Sequence, residues 1–251
     1  NNELKKKYIE TSAKLLSYCI KYDSLLVLDT KMKPEDKEKE HKIYQPKGVN
    51  SAIQLLQAAQ NYSNSENQEE LKQGAKYAEI FINAMENSNL MKDFKHAELE
   101  GWKTYSKAFR AQSYLNIEGT PEETIVNAYK ALFNTNFKGI AYQSLMNYYR
   151  EKDKAKQNLY LQEGIDALKG DAEQKDLRAN FVTILMQNQF QAGDKEGFMK
   201  TAEIMKTEFA DDENAVNAYL MEGQFAFEAK DYETAKKAFL AGSEKYPDDE
   251  K

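Results

Sequence analysis

Apolar residues recur every three or four positions along most of the chain, a spacing that places them on one face of an α-helix. Only 4 Pro and 11 Gly occur among 251 residues, and so few turn-forming residues disfavour a protein built from many short strands. The pattern predicts about eleven helices joined mostly by short loops: 3–28, 49–62, 67–87, 95–117, 121–134, 138–151, 154–169, 172–192, 195–209, 213–229 and 232–245. Because short loops make consecutive helices neighbours, the expected fold is all-α.

The first predicted helix, 3–28, carries large apolar residues on one broad face. This face consists of Leu4, Tyr8, Leu15, Cys19, Tyr22 and Leu26. Cys19 is the single cysteine of the chain, so it cannot form an internal disulfide. Its apolar neighbours indicate a buried, unreactive thiol.

The segment 31–48, KMKPEDKEKEHKIYQPKG, interrupts this pattern and is the most charged and proline-rich part of the chain. It predicts an exposed connection, in which Pro34 is suited to begin a short helix. The expected organisation is therefore an N-terminal part, 1–48, made of the long helix and the charged connection, followed by a helical-repeat array over 49–251. The two parts are expected to form one continuous solenoid domain.

Several polar residues stand where a helix start needs an N-cap. At 120–123 the sequence TPEE predicts a capping box, with Thr120 as the N-cap and Glu123 as its partner. Side-chain caps are predicted at four further helix starts: Asn67, Asp153, Asp194 and Asp231. Acidic residues that recur at helix starts are expected to accept backbone N–H groups rather than to act as catalytic acids.

The predicted caps also reveal a repeat. Successive caps from Thr120 to Asp231 are separated by 33, 41 and 37 residues, and the similarity is clearest at the last spacing. Gln187, Phe190, Ala192, Asp194, Glu196, Lys200, Asp211, Asp212 and Glu213 recur as Gln224, Phe227, Ala229, Asp231, Glu233, Lys237, Asp248, Asp249 and Glu250. A helix pair repeated at such a period is typical of an α-solenoid, in which each pair covers the apolar face of its neighbour.

Residues 219–247 resemble the tetratricopeptide repeat. That motif places a bulky residue, a Gly, an Ala, an aromatic residue and a Pro at fixed offsets, and the chain has Tyr219, Gly223, Ala235, Phe239 and Pro247 there. The sequence departs from the motif at Ala226, where Tyr is frequent, and at Gly242, where Ala is usual. The match is good for about 30 residues, fair for about 130 and weak over the first 90.

The resemblance implies a right-handed α-solenoid of antiparallel helix hairpins, a tetratricopeptide-like superhelix of about 11 helices. Such arrays bind proteins and rarely catalyse reactions. The first helix of each pair lines a concave groove, and carrying over the inward-facing offsets gives a candidate lining: Phe109, Ser113, Tyr142, Met146, Tyr149, Thr183, Gln187, Phe190, Asn217, Gln224 and Phe227. Of these, Phe109, Tyr142, Met146, Tyr149, Gln187, Phe190, Asn217, Gln224 and Phe227 are the predicted partner-binding residues.

This lining is largely neutral and combines aromatic, Met and amide side chains. It suits an extended peptide, because amides bond a peptide backbone and aromatic rings supply contact area. The alternative for each aromatic residue is that it belongs to the core between repeats. Leu220, Gln224, Thr183 and Gln187 occupy the offsets at which chaperone-binding relatives carry a cationic clamp. An acidic partner held by its terminal carboxylate is therefore not expected.

The charge of the chain bears on other partners. The net charge is −6, and positive charge is nearly all Lys, with Arg only at Arg110, Arg150 and Arg178. Nucleic-acid binding normally needs a basic surface, so no nucleic-acid partner is expected. No apolar run approaches the ~20 residues of a membrane span. The first residue is Asn rather than Met, which slightly favours an exported or periplasmic bacterial protein over a cytoplasmic one.

Candidate chemistry is sparse. His96 and Glu100 are four residues apart and could share a helix face as a weak metal pair, but no third ligand stands out. His41 lies in the charged connection and is expected to be solvated. The sequence contains no GxSxG, HExxH, CxxC or P-loop pattern. We therefore expect no catalytic residue, no metal and no cofactor.

The function expected from the sequence is that of a protein-interaction scaffold that captures a peptide or partner protein in its concave groove. One alternative is an exported, ligand- or glycan-binding envelope protein, since tetratricopeptide-like helices also form such lipoproteins. A second alternative is an α-helical enzyme, which would need carboxylates that converge in a cleft.

The last residues extend the repeat argument. PDDEK at 247–251 echoes ADDEN at 210–214, and the latter precedes a predicted helix. We therefore expect that the natural protein continues, or that a partner or second copy covers the exposed face of helix 232–245. Self-association through this C-terminal face is a further expectation.

Overall fold

Consecutive helices pack against one another through most of the protein. The computed structural model describes residues 2–247, except for the side chain of Asn2, and within that range it is all-α, 79% helical and without strands. The helices are α1 (Asn2–Leu28), α2 (Pro34–Tyr62), α3 (Gln68–Asn87), α4 (Leu99–Asn116), α5 (Glu122–Lys130), α6 (Lys138–Tyr149), α7 (Lys154–Ala167), α8 (Lys175–Gln191), α9 (Lys195–Glu208), α10 (Ala215–Glu228) and α11 (Tyr232–Lys245). Short 3₁₀ turns occupy Asn89–Met91 and Ala172–Gln174. The predicted all-α class is confirmed.

The chain forms two compact units that divide between Phe137 and Lys138. In the first unit, α1 to α5 pack in sequence, and α2 also contacts α4. In the second unit, α6 to α11 pack in sequence. Neighbour packing of this kind is compatible with a helical repeat, because each element buries its apolar face mainly against the next.

Each unit has its own apolar core. In the first, Leu16 of α1, Leu55 of α2 and Phe81 of α3 are fully buried and belong to one cluster. In the second, Phe181 and Phe198 are fully buried within α8 and α9. Burial of each large side chain contributes about 2 kcal/mol or more, which is sufficient to hold short helices that would not be stable alone.

Four of the predicted N-caps are confirmed. The Asn67 carboxamide oxygen accepts the N–H of Glu69 at 2.8 Å. The caps of α7, α9 and α11 follow the same geometry: Asp153 accepts from Lys156 at 3.0 Å, Asp194 from Gly197 at 2.9 Å and Asp231 from Thr234 at 3.1 Å. Hydrogen bonds from Thr234 hold the pKa of Asp231 below its ordinary value. These acids are therefore structural.

The predicted capping box at Thr120 is wrong. Helix α5 begins at Glu122, its N-cap position is Pro121, and no side chain caps it. The Thr120 hydroxyl instead donates to the carbonyl of Ile117 at 2.9 Å. The end of α4 thus engages this hydroxyl before α5 begins.

The segment predicted as a connection is mostly helical. Only residues 29–33 separate α1 from α2, and α2 runs unbroken from Pro34 to Tyr62 with Pro46 inside it. Pro34 does begin a helix, as predicted, and most side chains of 34–47 are exposed. The helix forms because α2 packs along α1, and this tertiary contact outweighs the internal Pro46 and the many charges.

His41 is also not the solvated residue that the sequence predicts. Its Nδ1 lies 2.5 Å from Oδ1 of Asp23, whose side chain is only 4% exposed. The Gln45 amide nitrogen lies 3.1 Å from His41 Nε2 and donates to the carbonyl of Leu90 at 2.8 Å. Both ring nitrogens of His41 are therefore engaged in a network that joins α1, α2 and the 3₁₀ turn at Asn89–Met91.

The single broad face predicted for α1 is in fact two faces. Cys19 and Leu26 are buried against the core together with Ile9 and Leu16. Leu4, Tyr8 and Leu15 point away from it and are 65%, 57% and 42% exposed. The buried position of Cys19 is as predicted, and burial raises the pKa of its thiol. No helix among residues 2–247 is both long and apolar enough to cross a bilayer.

Helix α11 keeps large apolar residues at its surface. Tyr232, Phe239 and Leu240 are 59%, 39% and 49% exposed. The predicted exposed face of this helix is thus present. Residues 248–251, on which the predicted echo of ADDEN depends, lie outside the described residues.

Candidate functional site

The structure separates the predicted partner-binding residues by exposure. Tyr142, Met146 and Tyr149 are buried, Phe109, Gln187, Phe190 and Asn217 are half-buried, and Gln224 and Phe227 are exposed. The buried members, Tyr142, Met146 and Tyr149, have no surface to offer to a partner.

The three residues on α6 are core residues. Tyr142 packs over Gly164 of α7, its Cβ lying 3.2 Å from the position that a Cβ at Gly164 would occupy. Burial raises the pKa of the Tyr142 hydroxyl. The ring of Tyr149 stacks on Tyr160 at 5.6 Å between centroids. Met146 is 2% exposed. These three residues therefore belong to the core between helices, which was the alternative to a partner-binding role.

Three other predicted residues of the second unit, Phe190, Gln224 and Phe227, make local contacts. The Phe190 ring lies 6.0 Å from Phe198 and 4.7 Å from Phe225, which ties α8, α9 and α10 together. Phe227 makes an edge contact with Tyr232 at 5.6 Å. The Gln224 amide donates to Glu228 within its own helix. These contacts lie within the second unit and are those of packed helices.

A groove with suitable side chains lies in the first unit instead, between α2 and α4. It has a volume of about 460 Å³. Its lining comprises Ile53, Leu56, Gln57 and Gln60 of α2, with Glu98, Trp102, Tyr105 and Phe109 of α4 and its N-cap. We call this set the α2–α4 groove. Of the predicted partner-binding residues it contains Phe109.

The α4 wall of the groove is aromatic. Trp102, Tyr105 and Phe109 follow one another at spacings of three and four, so they share one face of the helix. The rings of Tyr105 and Phe109 lie 6.2 Å apart and nearly parallel. Tyr105 is 46% exposed, and its ring also meets Phe137 edge-on at 5.3 Å. Trp102 and Phe109 pack partly on the core, which fixes the positions of both rings.

The α2 wall is mixed apolar and amide. Leu56 is buried and Ile53 half-buried, so they form an apolar floor. Gln57 and Gln60 are exposed carboxamides on the same face, at the fourth and seventh positions from Ile53. Glu98 is the one charged residue of the lining. The α2–α4 groove therefore combines flat apolar area with donors and acceptors and a single negative charge.

His96 supports this groove rather than a metal. Its ring stacks on Trp102 at 4.4 Å between centroids, and its Nδ1 accepts the N–H of Glu98 at 3.1 Å. Glu100 pairs with Lys103 at 2.8 Å. Within residues 2–247 no group of three or more His, Cys, Asp or Glu side chains is arranged to hold a metal ion. The weak metal pair considered from the sequence is thus occupied by other contacts.

A larger groove of about 530 Å³ lies between α1 and α3. Its lining is mostly small or amide-bearing, with Ala13, Ser17, Ser24, Asn83 and Asn87 among the contributors. It contains no aromatic side chain, and so lacks the large anchors that dominate binding energy. Volume alone therefore does not make it the stronger candidate.

The two helices of the C-terminal pair, α10 and α11, approach each other closely at two glycines. A Cβ at Gly223 would lie 2.5 Å from the Phe239 ring, and one at Gly242 would lie 3.0 Å from Tyr219. Ala235 is buried.

Comparison with protein-family models, curated proteins and solved structures finds no match to this chain. The assignment to the tetratricopeptide family therefore stays a hypothesis based on residues 219–247.

Proposed function

We propose that the protein is an interaction scaffold whose α2–α4 groove binds an extended peptide segment of a partner protein. The observation that carries this proposal is the aromatic wall of Trp102, Tyr105 and Phe109 facing the carboxamides of Gln57 and Gln60. Aromatic rings supply contact area at little entropic cost, and carboxamides can pair with both the N–H and the C=O of a peptide.

The dimensions of the groove favour a short segment. From Glu98 to Phe109 the helix rises by about 16 Å, which matches roughly five residues of extended peptide. The groove has one charged residue, Glu98, on a chain of net charge −6. A neutral or basic peptide with apolar anchors fits this environment better than an acidic one.

The helical architecture supports the same role. We propose that the helices form antiparallel hairpins stacked as a right-handed, tetratricopeptide-like superhelix, with α2 and α4 as first helices of successive pairs. The short connections, the contact between α2 and α4 and the close approach of Gly223 to Phe239 support this arrangement. In such a superhelix the α2–α4 groove lies on the concave surface.

The single tryptophan makes the test direct. Trp102 is the only Trp in the chain, so its intrinsic fluorescence reports occupancy of the α2–α4 groove. Peptides selected from a random library displayed on phage would be titrated against the full chain. We expect a change in Trp102 emission on binding, and Tyr105→Ala should weaken affinity at least tenfold, since it removes an exposed aromatic anchor.

Phe227→Ala is the matched control, because it removes an exposed aromatic residue outside the groove. Far-ultraviolet circular dichroism should be the same for both variants and the parent. Equal affinity of Tyr105→Ala and the parent would contradict the proposed groove. A fluorescence response to soluble oligosaccharides but to none of the selected peptides would favour the glycan-binding alternative instead.

A further inference from the structure

The outward face of α1 has the spacing of a coiled-coil seam. Residues 4, 8, 11, 15, 18, 22 and 25 follow one another at alternating steps of four and three, the spacing of positions a and d in a heptad repeat. They are Leu4, Tyr8, Thr11, Leu15, Tyr18, Tyr22 and Leu25. We call them the α1 seam. It runs over about three heptads, or roughly 30 Å of helix.

The α1 seam is unusually exposed for such residues. Leu4, Tyr8, Tyr18 and Leu25 are 65%, 57%, 71% and 55% exposed, and Leu15 is 42% exposed. The opposite face of α1 is buried, and its residues Ile9, Leu16, Cys19 and Leu26 pack in the core. Contiguous apolar surface on this scale normally marks an interaction site.

One edge of the α1 seam is lined by lysines. Lys7, Lys14 and Lys21 are exposed and lie seven residues apart, at the position next to the seam that sets partner choice in coiled coils. The exposed acids of α1, Glu3 and Glu10, lie one step further round the helix. The opposite edge is closed by α2, where Tyr44 packs on Tyr22 at 4.4 Å.

We propose that the α1 seam docks an amphipathic helix of a partner protein that carries acidic residues along its flank. The apolar rows would interlock, and the carboxylates would pair with the row formed by Lys7, Lys14 and Lys21. This surface lies on a different helix from the α2–α4 groove, so it does not depend on the peptide-binding proposal.

Charge argues against a second copy as the occupant. In an antiparallel pair of α1 helices the two lysine rows would face each other, which is repulsive. In a parallel pair each row would face the positions of Ser12 and Cys19, and both of these residues are buried. Neither arrangement provides a carboxylate for the lysines.

The distribution of apolar residues on α1 argues against a membrane as the occupant. A helix that lies in a bilayer surface presents a broad apolar face, whereas the apolar residues of α1 are divided between the core and a narrow seam.

The test uses the full chain and two synthetic four-heptad helices that differ only in charge. Both have Leu at the seam positions, and the flanking positions are Glu in the acidic peptide and Lys in the basic one. Fluorescence anisotropy should show at least tenfold tighter binding of the acidic peptide at low salt, with the difference shrinking as salt screens the charges.

The variant that carries Lys7→Glu, Lys14→Glu and Lys21→Glu should reverse this preference. Its control is the triple variant Lys72→Glu, Lys76→Glu and Lys130→Glu, which makes the same charge change at exposed positions of other helices and should keep the preference for the acidic peptide. Tyr18→Ala should weaken both peptides, because Tyr18 supplies apolar contact without charge.

Three results would overturn the proposal. Equal affinity for the two peptides would show that the lysine row does not select the partner. A dimer in light scattering that Tyr18→Asp dissociates would assign the seam to a second copy. Binding to vesicles with anionic lipid that is lost in the variant with Glu at 7, 14 and 21 would assign it to a membrane.

Discussion

Asp23 and His41 show how one non-local pair changes the interpretation of a segment. The Asp23 carboxylate is nearly buried, and the His41 ring beside it is its one ionisable partner among the hydrogen bonds described for residues 2–247. A buried carboxylate that loses its partner retains the cost of desolvation. The pair therefore explains why a histidine in a charged, proline-containing stretch is held in place.

Replacement of His41 by Ala should lower the free energy of unfolding by about 2–3 kcal/mol, because Asp23 would stay buried without a partner. Urea denaturation followed by circular dichroism measures this loss. Adding Asp23→Asn to the variant should recover part of it. Lys39→Ala, which removes only an exposed pair with Asp36, is the control and should change stability by less than about 0.5 kcal/mol. Equal stability of His41→Ala and the parent would contradict the structural role of the pair.

Glu208 makes a contribution to the stability of the folded protein that depends on pH. The hydrogen bond from Arg178, at 2.6 Å, holds the pKa of Glu208 below its ordinary value of 4.5. Arg178 is itself buried and also donates to the carbonyl of Ile165 at 2.8 Å. Because the pKa of Glu208 is lower in the folded state than in the unfolded state, the ion pair stabilises the fold above pH 4.5. This stabilisation is lost as the pH falls through the folded-state pKa.

Glu208→Gln should therefore lower the free energy of unfolding by up to about 1 kcal/mol at pH 7. The effect is small because the carboxylate is partly solvated. The difference from the parent should shrink as the pH is lowered towards about 3. Urea titrations at both pH values measure it. Glu196→Gln, at an exposed pair with Lys200, is the control and should have a smaller effect at pH 7. A cost for Glu208→Gln that stays constant with pH would contradict the assignment.

Helix packing in the second unit depends on a glycine. A Cβ at Gly164 of α7 would lie 2.6 Å from the ring of Phe181, which is fully buried. At Gly101 in α4 a Cβ would make only an ordinary van der Waals contact, 3.9 Å from the ring of Tyr105. The same substitution should thus have opposite effects at the two positions.

Gly164→Ala should lower the free energy of unfolding by about 1–3 kcal/mol, because overpacking exceeds the gain in helix propensity. Gly101→Ala should raise it by about 0.5–1 kcal/mol, since only the propensity changes. Thermal or urea denaturation distinguishes the two. Destabilisation of similar size at both positions would show that backbone effects, rather than contact with Phe181, decide the outcome.

The elements also show which features can be predicted from sequence. The caps at Asn67, Asp153, Asp194 and Asp231 were predictable because each depends on an N–H two or three residues away. The capping role of Thr120 was predicted wrongly because the preceding turn competes for its hydroxyl. The second half of α2 was predicted, but its first half was taken as a connection because contacts with α1 help to hold it. Local chemistry is visible in sequence, whereas competition between neighbouring elements is not.

The same limit applies to the α2–α4 groove. Phe109 was predicted from a repeat offset, but its neighbour Trp102 was not, although the spacing of 102, 105 and 109 and the single Trp were available signals. The facing carboxamide of Gln57 is 45 residues away in sequence. No local pattern connects these two walls, so only the fold could bring them together.

At the scale of the whole molecule, a substitution that destabilises one compact unit should leave the stability of the other nearly unchanged. We expect Gly164→Ala to accelerate amide hydrogen exchange within residues 138–247 and to leave the buried amides of residues 2–137 nearly unchanged, because its contacts belong to the second unit. Exchange followed by mass spectrometry of peptic fragments measures this. Equal acceleration throughout both ranges would show one cooperative unit instead.

The burial of Cys19 has a practical consequence for the study of motion. It is the only thiol in the chain, is 1% exposed and lies under the contact between α1 and α2. We expect a thiol reagent to reach it when α1 separates from the core, and its raised pKa slows the reaction further. The rate at which Cys19 is modified therefore reports how often α1 opens. A partner that binds the α1 seam should change that rate.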